Sequence, residues 1–168
     1  MDIRLKPGAV PVTCLVPRKV PYALEEATQA ELAAMANSGL IRKVTEPTPW
    51  CSPFLVVLKP KGGVRPVVDY KGLNKYVIRP VHPFVSARAA VEGIPKSSRY
   101  FATLDAAKGY WQIQLSDEAS MLTTFLTPYG RFRYTRAPMG LSSSGDEFCR
   151  RGDEALEGIK GVIKVVDD

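Results

Sequence analysis

The sequence has 168 residues, enough for one domain or for one domain with a small lobe. Hydrophobic residues make up 45% of it, which supports a real core and argues against disorder. The net charge of +6 fits a polyanionic partner. No signal peptide and no apolar run near the length of a membrane span is visible, so no membrane partner is expected.

Three cysteines, Cys14, Cys51 and Cys149, lie far apart, without metal-ligand spacing, and their odd number argues against a disulfide framework. The expected setting is reducing and intracellular. The single histidine, His82, stands before a proline and reads as structural.

Residues 1–21 form an extended N-terminal arm, punctuated by Pro7, Pro11, Pro17 and Pro21, that reads as separate from the core. Residues 22–38 are predicted helical, with Leu24, Thr28, Leu32 and Met35 on one stripe and Gly39 as the stop. Residues 40–44 suit a short strand. Three prolines around Trp50 and Cys51 fix a loop, with Trp50 packed under it.

Residues 54–59 and 64–70 read as strands joined by Pro60-Lys61-Gly62-Gly63, a strong hairpin signal. From Val56 to Pro80 there are six basic residues (Lys59, Lys61, Arg65, Lys71, Lys75 and Arg79) and one acid, Asp69. From charge alone this is either a solvated ribbon or a phosphate-binding surface. Ser86 can cap a short helix ending near Glu92 and Gly93.

Residues 100–104 read as a strand that ends in Asp105, the only acid between Glu92 and Asp117. A carboxylate there is either a cap for the next turn or a group that meets positive charge. A helical turn is expected at 117–120. A second hairpin is expected from strands 122–126 and 131–136 about Pro128-Tyr129-Gly130. A tight loop, 137–141, then leads to a helix. Ser142, Ser143 and Ser144 offer caps for that helix, and Phe148, Gly152, Ala155, Leu156 and Ile159 form its core stripe. Asp146 and Glu147 fall in its first turn.

Residues 162–166 form a last apolar strand running into Asp167 and Asp168. Two acid-ended strands side by side would gather three carboxylates at one sheet edge, a cluster that repels itself and calls for divalent cations. Asp105 and Asp167 are 62 positions apart, so only the fold can unite them.

The ordered motifs resemble the fingers and palm of a reverse transcriptase from an LTR retrotransposon of the Ty3/gypsy type. They are Gly39-Leu40-Ile41 with Pro47-Thr48-Pro49-Trp50-Cys51-Ser52-Pro53; Arg65-Pro66-Val67-Val68-Asp69-Tyr70 with Leu73-Asn74; Leu104-Asp105 with Gly109-Tyr110 and Gln112-Ile113; Arg136-Ala137-Pro138-Met139-Gly140-Leu141 with Phe148; and Val165-Val166-Asp167-Asp168.

The resemblance implies an α+β fold, a mostly antiparallel sheet with helices packed on one face. It divides the chain into the arm, 1–21, a fingers-like region with part of the palm, 22–98, and a palm, 99–168. It implies an RNA-directed DNA polymerase of a retrotransposon, acting on an RNA or DNA template with its primer and on deoxynucleoside triphosphates, in the cytoplasm within a virus-like particle. Asp105, Asp167 and Asp168, with the backbone carbonyl of Ala106, would hold two Mg²⁺ ions, which Mn²⁺ can replace. Arg65 would fork onto the triphosphate, and Lys59 or Lys61 would add a mobile charge. Tyr110 would lie beneath the incoming sugar, and Met139 and Gly140 against base and template. Lys71 and Lys75 would contact nucleic acid.

Val165 replaces the aromatic residue usual in the last motif, and Gly145-Asp146-Glu147 replaces small apolar residues. No returning strand, thumb or RNase H follows Asp168, so the resemblance implies a stretch of a longer polyprotein, truncated at its catalytic acids, with integrase also elsewhere. The expectation is that these residues alone do not extend a primer. A non-catalytic nucleic-acid-binding remnant is the alternative.

Overall fold

The structure is a computed structural model that describes residues 1–60 and 62–165. Its centre is a five-stranded sheet in the order β1-β5-β4-β2-β3. The strands are β1 (Ile41–Val44), β2 (Ser52–Leu58), β3 (Val64–Val68), β4 (Phe125–Thr127) and β5 (Gly130–Tyr134). β2 and β3 form the first expected hairpin, and β4 and β5 the second, with Pro128 and Tyr129 as the loop between its strands. β1 pairs antiparallel with β5, while β2 and β4 run parallel over Ser52↔Phe125 and Pro53↔Leu126. The sheet is therefore mostly antiparallel, and it takes strands from both sides of residue 98.

Side chains two apart on a strand share a face, and directly paired residues do too. Phe54, Phe125, Phe132 and Tyr134 meet in this way. Phe125 is fully buried and has the rings of Phe54 and Phe132 at 6.0 Å and Tyr134 at 5.5 Å. Buried polar side chains around this core find backbone partners, as they must. Tyr70 Oη donates to the Thr123 carbonyl at 3.0 Å, and Thr127 Oγ1 to the Gly130 carbonyl at 2.7 Å.

α1 (Glu25–Asn37) follows a 3₁₀ turn at Tyr22–Leu24 and packs against β1 and β3. Thr28, Leu32 and Met35 are its buried residues, as the stripe predicts. Gly39 then takes φ +69°, a left-handed conformation that a side chain would strain. α2 (Lys71–Asn74) is one turn, and α3 (Ala87–Glu92) is capped by Ser86, whose hydroxyl accepts from the Ala89 N–H. α4 (Asp117–Leu122) has the same cap from Ser116.

α5 (Ser142–Leu156) starts differently from expectation. Leu141 is its N-cap residue, and none of the three serines caps it. Ser144 instead donates to the Pro138 carbonyl at 2.8 Å. The helix begins at Ser142, so Asp146 and Glu147 sit in its second turn. Its buried residues are Ser143, Ser144, Asp146 and Cys149, whereas Ala155 is exposed and Ile159 lies past its end. Of the expected stripe, Phe148 packs against the main core and Gly152 and Leu156 are half-buried, while the buried acid Asp146 meets Arg79.

Two strand expectations fail. Residues 100–104 are irregular, with Tyr100 and Leu104 at 95% and 94% exposure. Aromatic and apolar residues favour a strand only where a second edge takes up their N–H and C=O groups, and among the described residues none lies beside them. Residues 162–164 are also irregular. Val165 makes a single parallel bridge to Val85, so its partner is not the segment before Asp105. Val166, Asp167 and Asp168 lie outside the described residues.

The arm is no free extension. Ile3 is buried in the main core, Leu5 bridges Val77, and Thr13 bridges Cys51. Isolated apolar residues among prolines give no periodic signal, yet Ile3 in the core and backbone bonds such as Ile78 N–H to the Arg4 carbonyl and Cys14 N–H to the Cys51 carbonyl, both 2.8 Å, dock the chain. Trp50 is buried as expected and meets Tyr76 edge-on at 5.8 Å. Among the described residues no helix is long and apolar enough to cross a membrane.

Candidate active site

Asp105 sits on an exposed irregular loop that closes quickly after it. The Ala106 carbonyl accepts from the Gly109 N–H at 3.1 Å, and Gln112 Nε2 donates to the Ala107 carbonyl at 2.9 Å. Lys108, between them, takes φ +52°, unusual for a residue with a side chain. Its Nζ stands 5.4 Å from the Trp111 ring centroid. Asp105 makes no ion pair and no side-chain hydrogen bond among the described residues.

A 3₁₀ helix, Gly109–Gln112, docks this loop on α5. A Cβ at Gly109 would lie 2.7 Å from two atoms of the Phe148 ring, so only glycine lets the backbone come this close. Tyr110 is half-buried and meets the same ring edge-on at 5.5 Å. Burial, with Cys149 nearby, pushes its phenol pKa up. Ile113 and Leu115 then exchange backbone bonds with Ala137 and Thr135, which carries the chain to Met139 and Gly140.

Asn74 fixes that second loop from the other side. Its Nδ2 donates to the Gly140 carbonyl at 2.9 Å, and its Oδ1 accepts from the Ser142 N–H at 3.0 Å. Gly140 has φ +82° and lies beside the end of β3, while Met139 is more than half exposed. The sequence motif contained Asn74 but assigned it no role. The signal was there: a short amide side chain can serve a donor and an acceptor at once.

The cations are spread. Arg65 is exposed on β3, opposite Val57. Lys59 Nζ lies 3.4 Å from Glu31 of α1. Lys61 lies outside the described residues. Lys71 and Lys75 are exposed on and just after α2. Asp69 pairs with Arg18 at 3.6 Å and accepts from the Lys71 N–H at 3.1 Å, a structural use of that acid. A cavity of about 390 Å³, lined in part by Glu31, Lys108, Trp111 and Arg136, separates α1 from the Asp105 loop. Sequence reading passed over Lys108, and it quoted Arg136 in a motif without giving it a role.

Asp146 and Glu147 are both engaged. Asp146 is buried and takes Nε and Nη2 of Arg79 at 2.9 and 3.0 Å, and this pairing raises the Arg79 pKa. Glu147 accepts from Arg150 and Arg151, which hold its carboxyl at about 2. Neither stands as a bare charge. Among the described residues no group of three or more acids, histidines or cysteines could hold a metal ion. Two of the three expected acids, Asp167 and Asp168, lie outside them.

Residues 57–166 match the family model described as reverse transcriptase (RNA-dependent DNA polymerase). The chain belongs to the reverse transcriptase family. It is 33% identical over 145 residues to the "Retrovirus-related Pol polyprotein from transposon 297" of Drosophila melanogaster, covering 82% of this chain and 13% of that protein. It is 30% identical over 162 residues to the "Enzymatic polyprotein" of Cestrum yellow leaf curling virus, covering 91% and 25%. This reverse transcriptase chain thus spans a quarter or less of those relatives. Its fold is that of the foamy viral protease-reverse transcriptase in complex with RNA/DNA hybrid, with a TM-score of 0.84 at 21% identity, over 97% of this chain and 22% of that one.

Proposed function

We propose that these residues form the fingers and palm of an RNA-directed DNA polymerase that adds deoxynucleotides to a primer 3′-hydroxyl. The carrying observation is Tyr110 docked on α5 five residues after a solvent-facing Asp105 that has no ion-pair partner among the described residues, inside the stretch that matches the family. On this reading residues 22–98 are fingers with part of the palm, residues 99–168 are palm, and residues 1–21 are an arm laid on both.

The donors present fit a hard divalent cation. Asp105 offers a carboxylate that no protein cation occupies among the described residues. The Ala106 carbonyl has one N–H partner at 3.1 Å and a second lone pair to give. Mg²⁺ prefers a few such oxygens plus substrate phosphates. Asp105, Ala106, Asp167 and Asp168 would hold the ions. When bound, two Mg²⁺ ions, or Mn²⁺ in their place, activate the primer hydroxyl and neutralise the leaving pyrophosphate.

The remaining roles belong to the chain itself. Arg65, exposed and without a carboxylate partner among the described residues, forks onto triphosphate oxygens. Lys59 joins it by leaving Glu31, a partly exposed pair worth little in water, and Lys61 adds charge from the turn. Tyr110 excludes a ribose 2′-hydroxyl with its ring. Met139 and Gly140, held by Asn74, face base and template. Lys71 and Lys75 contact the phosphate backbone of template or primer.

The test is primer extension by a chimera in which residues 1–168 replace the matching part of the transposon 297 polyprotein. It should incorporate deoxynucleotides under template direction, and Asp105→Asn or Asp167→Asn should abolish this. Undiminished incorporation by Asp105→Asn would overturn the proposal.

A further inference from the structure

The cavity between α1 and the Asp105 loop takes no part in the chemistry proposed above. At about 390 Å³ it has the volume of a small-molecule site. Arg65, Tyr110, Met139 and Gly140, the residues given to the incoming deoxynucleotide, are not among its lining residues. Its walls divide by chemistry. Ala34, Met35 and Leu40 supply apolar surface, Trp111 a ring, and Lys108 and Arg136 positive charge.

The 3₁₀ helix explains why ring and charge stand together. Lys108 is its N-cap residue, and the Trp111 N–H donates to the Lys108 carbonyl at 2.8 Å. Residues three apart eclipse one another in such a turn, so the two side chains fall on one side, with Lys108 Nζ 5.4 Å from the indole centroid. Arg136 arrives from the segment after β5 and gives Nη1–H to the Gln112 carbonyl at 3.3 Å. A guanidinium has five donors, and neither cation meets a carboxylate among the described residues. Among those residues the one acid in the wall is Glu31, which lies 3.4 Å from Lys59 Nζ, so its charge is met within the protein.

We propose that this cavity is a second, metal-independent nucleotide site that takes a free nucleoside diphosphate: the base stacks on Trp111 and the phosphates meet Lys108 and Arg136. Stacking on an indole accepts any base, because every base has a π-face. A guanidinium forks onto phosphate oxygens, and an ammonium adds a point charge, so two cations match two phosphates. The volume is that of one small ligand, which favours a free nucleotide over a continuous strand. No carboxylate of the proposed metal site takes part, so this site stands whether or not that reading holds.

ADP is the probe, titrated into residues 1–168 in the presence of EDTA, with heat and tryptophan fluorescence both followed. The chain has two tryptophans, and Trp50 is buried in the core against Tyr76, so quenching by ADP reports Trp111. Quenching should survive in Trp50→Phe. Lys108→Met keeps the stem and removes the charge, and Arg136→Gln removes the guanidinium. Both side chains reach solvent, so both variants should keep the parent's melting temperature. Each should bind ADP about tenfold more weakly, the loss expected for one charged donor. Trp111→Leu should weaken binding about tenfold by removing the stacking surface. Arg65→Ala, which removes the guanidinium given to the triphosphate above, should leave ADP binding unchanged.

Weaker ADP binding in Lys108→Met and Arg136→Gln at unchanged melting temperature, with Arg65→Ala intact, would uphold the site. Binding that Arg65→Ala removes and the other two keep would put ADP on the triphosphate surface and overturn it. Equal binding by all the variants would overturn it as well, and so would neither heat nor quenching up to about 1 mM ADP. Quenching by a single-stranded oligodeoxynucleotide but not by ADP would make the cavity part of a strand path and overturn the free-nucleotide site.

Discussion

Tyr110 shows how one side chain can be read from sequence and still need the structure. The family resemblance implied a ring beneath the incoming sugar at this position, five residues after Asp105. The structure adds what holds it: Phe148 at 5.5 Å edge-on, and a glycine before it that admits the contact. Tyr110→Ala should raise ribonucleotide use relative to deoxynucleotide use in the chimera. An unchanged ratio of incorporation efficiencies would return Tyr110 to a packing role. Glu147 gives a second residue-scale outcome. Its carboxyl is held at about 2, against an ordinary 4.5, mainly by Arg150. A depressed acid contributes stability that is complete above its unfolded pKa and is lost as pH falls from about 4.5 towards 2. Arg150 and Arg151 are nearly half exposed, so water screens much of this. Glu147→Gln should therefore cost about 1–2 kcal/mol at pH 7, and the gap to the parent should close near pH 2 in chemical unfolding curves. A gap that is constant with pH would contradict the assignment.

At the scale of elements, legibility followed locality. Both hairpins were marked by their turns, Pro60 to Gly63 and Pro128 to Gly130, because turn chemistry is set by adjacent residues. The stripe Thr28, Leu32, Met35 gave α1 for the same reason. Asp146 was not legible. In sequence it is an acid near a helix start; in the fold it meets Arg79, 67 positions away, and no local pattern encodes that distance. Residues 100–104 failed for a related reason, since strand propensity says nothing about whether a partner edge arrives. The basic hairpin and α2 carry the electrostatic prediction. Lys71 is exposed, and it meets Asp69 through its backbone N–H. Lys71→Ala should weaken binding of a primer–template duplex about equally for all sequences and lower the salt slope by about one. Affinity that stays flat from low to high salt would show that this surface is merely solvated.

The whole molecule is organised around one sheet whose strands come from residues 41–68 and 125–134. Its aromatic centre fixes the frame, and the loops of the candidate site hang on its margins. The loop of Asp105 is pinned to α5 through Gly109 and Tyr110. The loop of Met139 and Gly140 is pinned to α2 through Asn74. The order of motifs told the family before any contact was known, because five separate motifs in one order constrain a chain more than any single acid does. The sequence could not say that Ile3 belongs to the core or that the Lys164 ammonium reaches the Cys149 carbonyl of α5, since both depend on surfaces that exist only after folding. The account as a whole stands on Asp105 sharing divalent cations with the acids at 167 and 168. Water-proton relaxation during Mn²⁺ titration tests this most directly. The account predicts weak binding by residues 1–168 that Asp105→Asn largely removes; equal binding by the two proteins would contradict it.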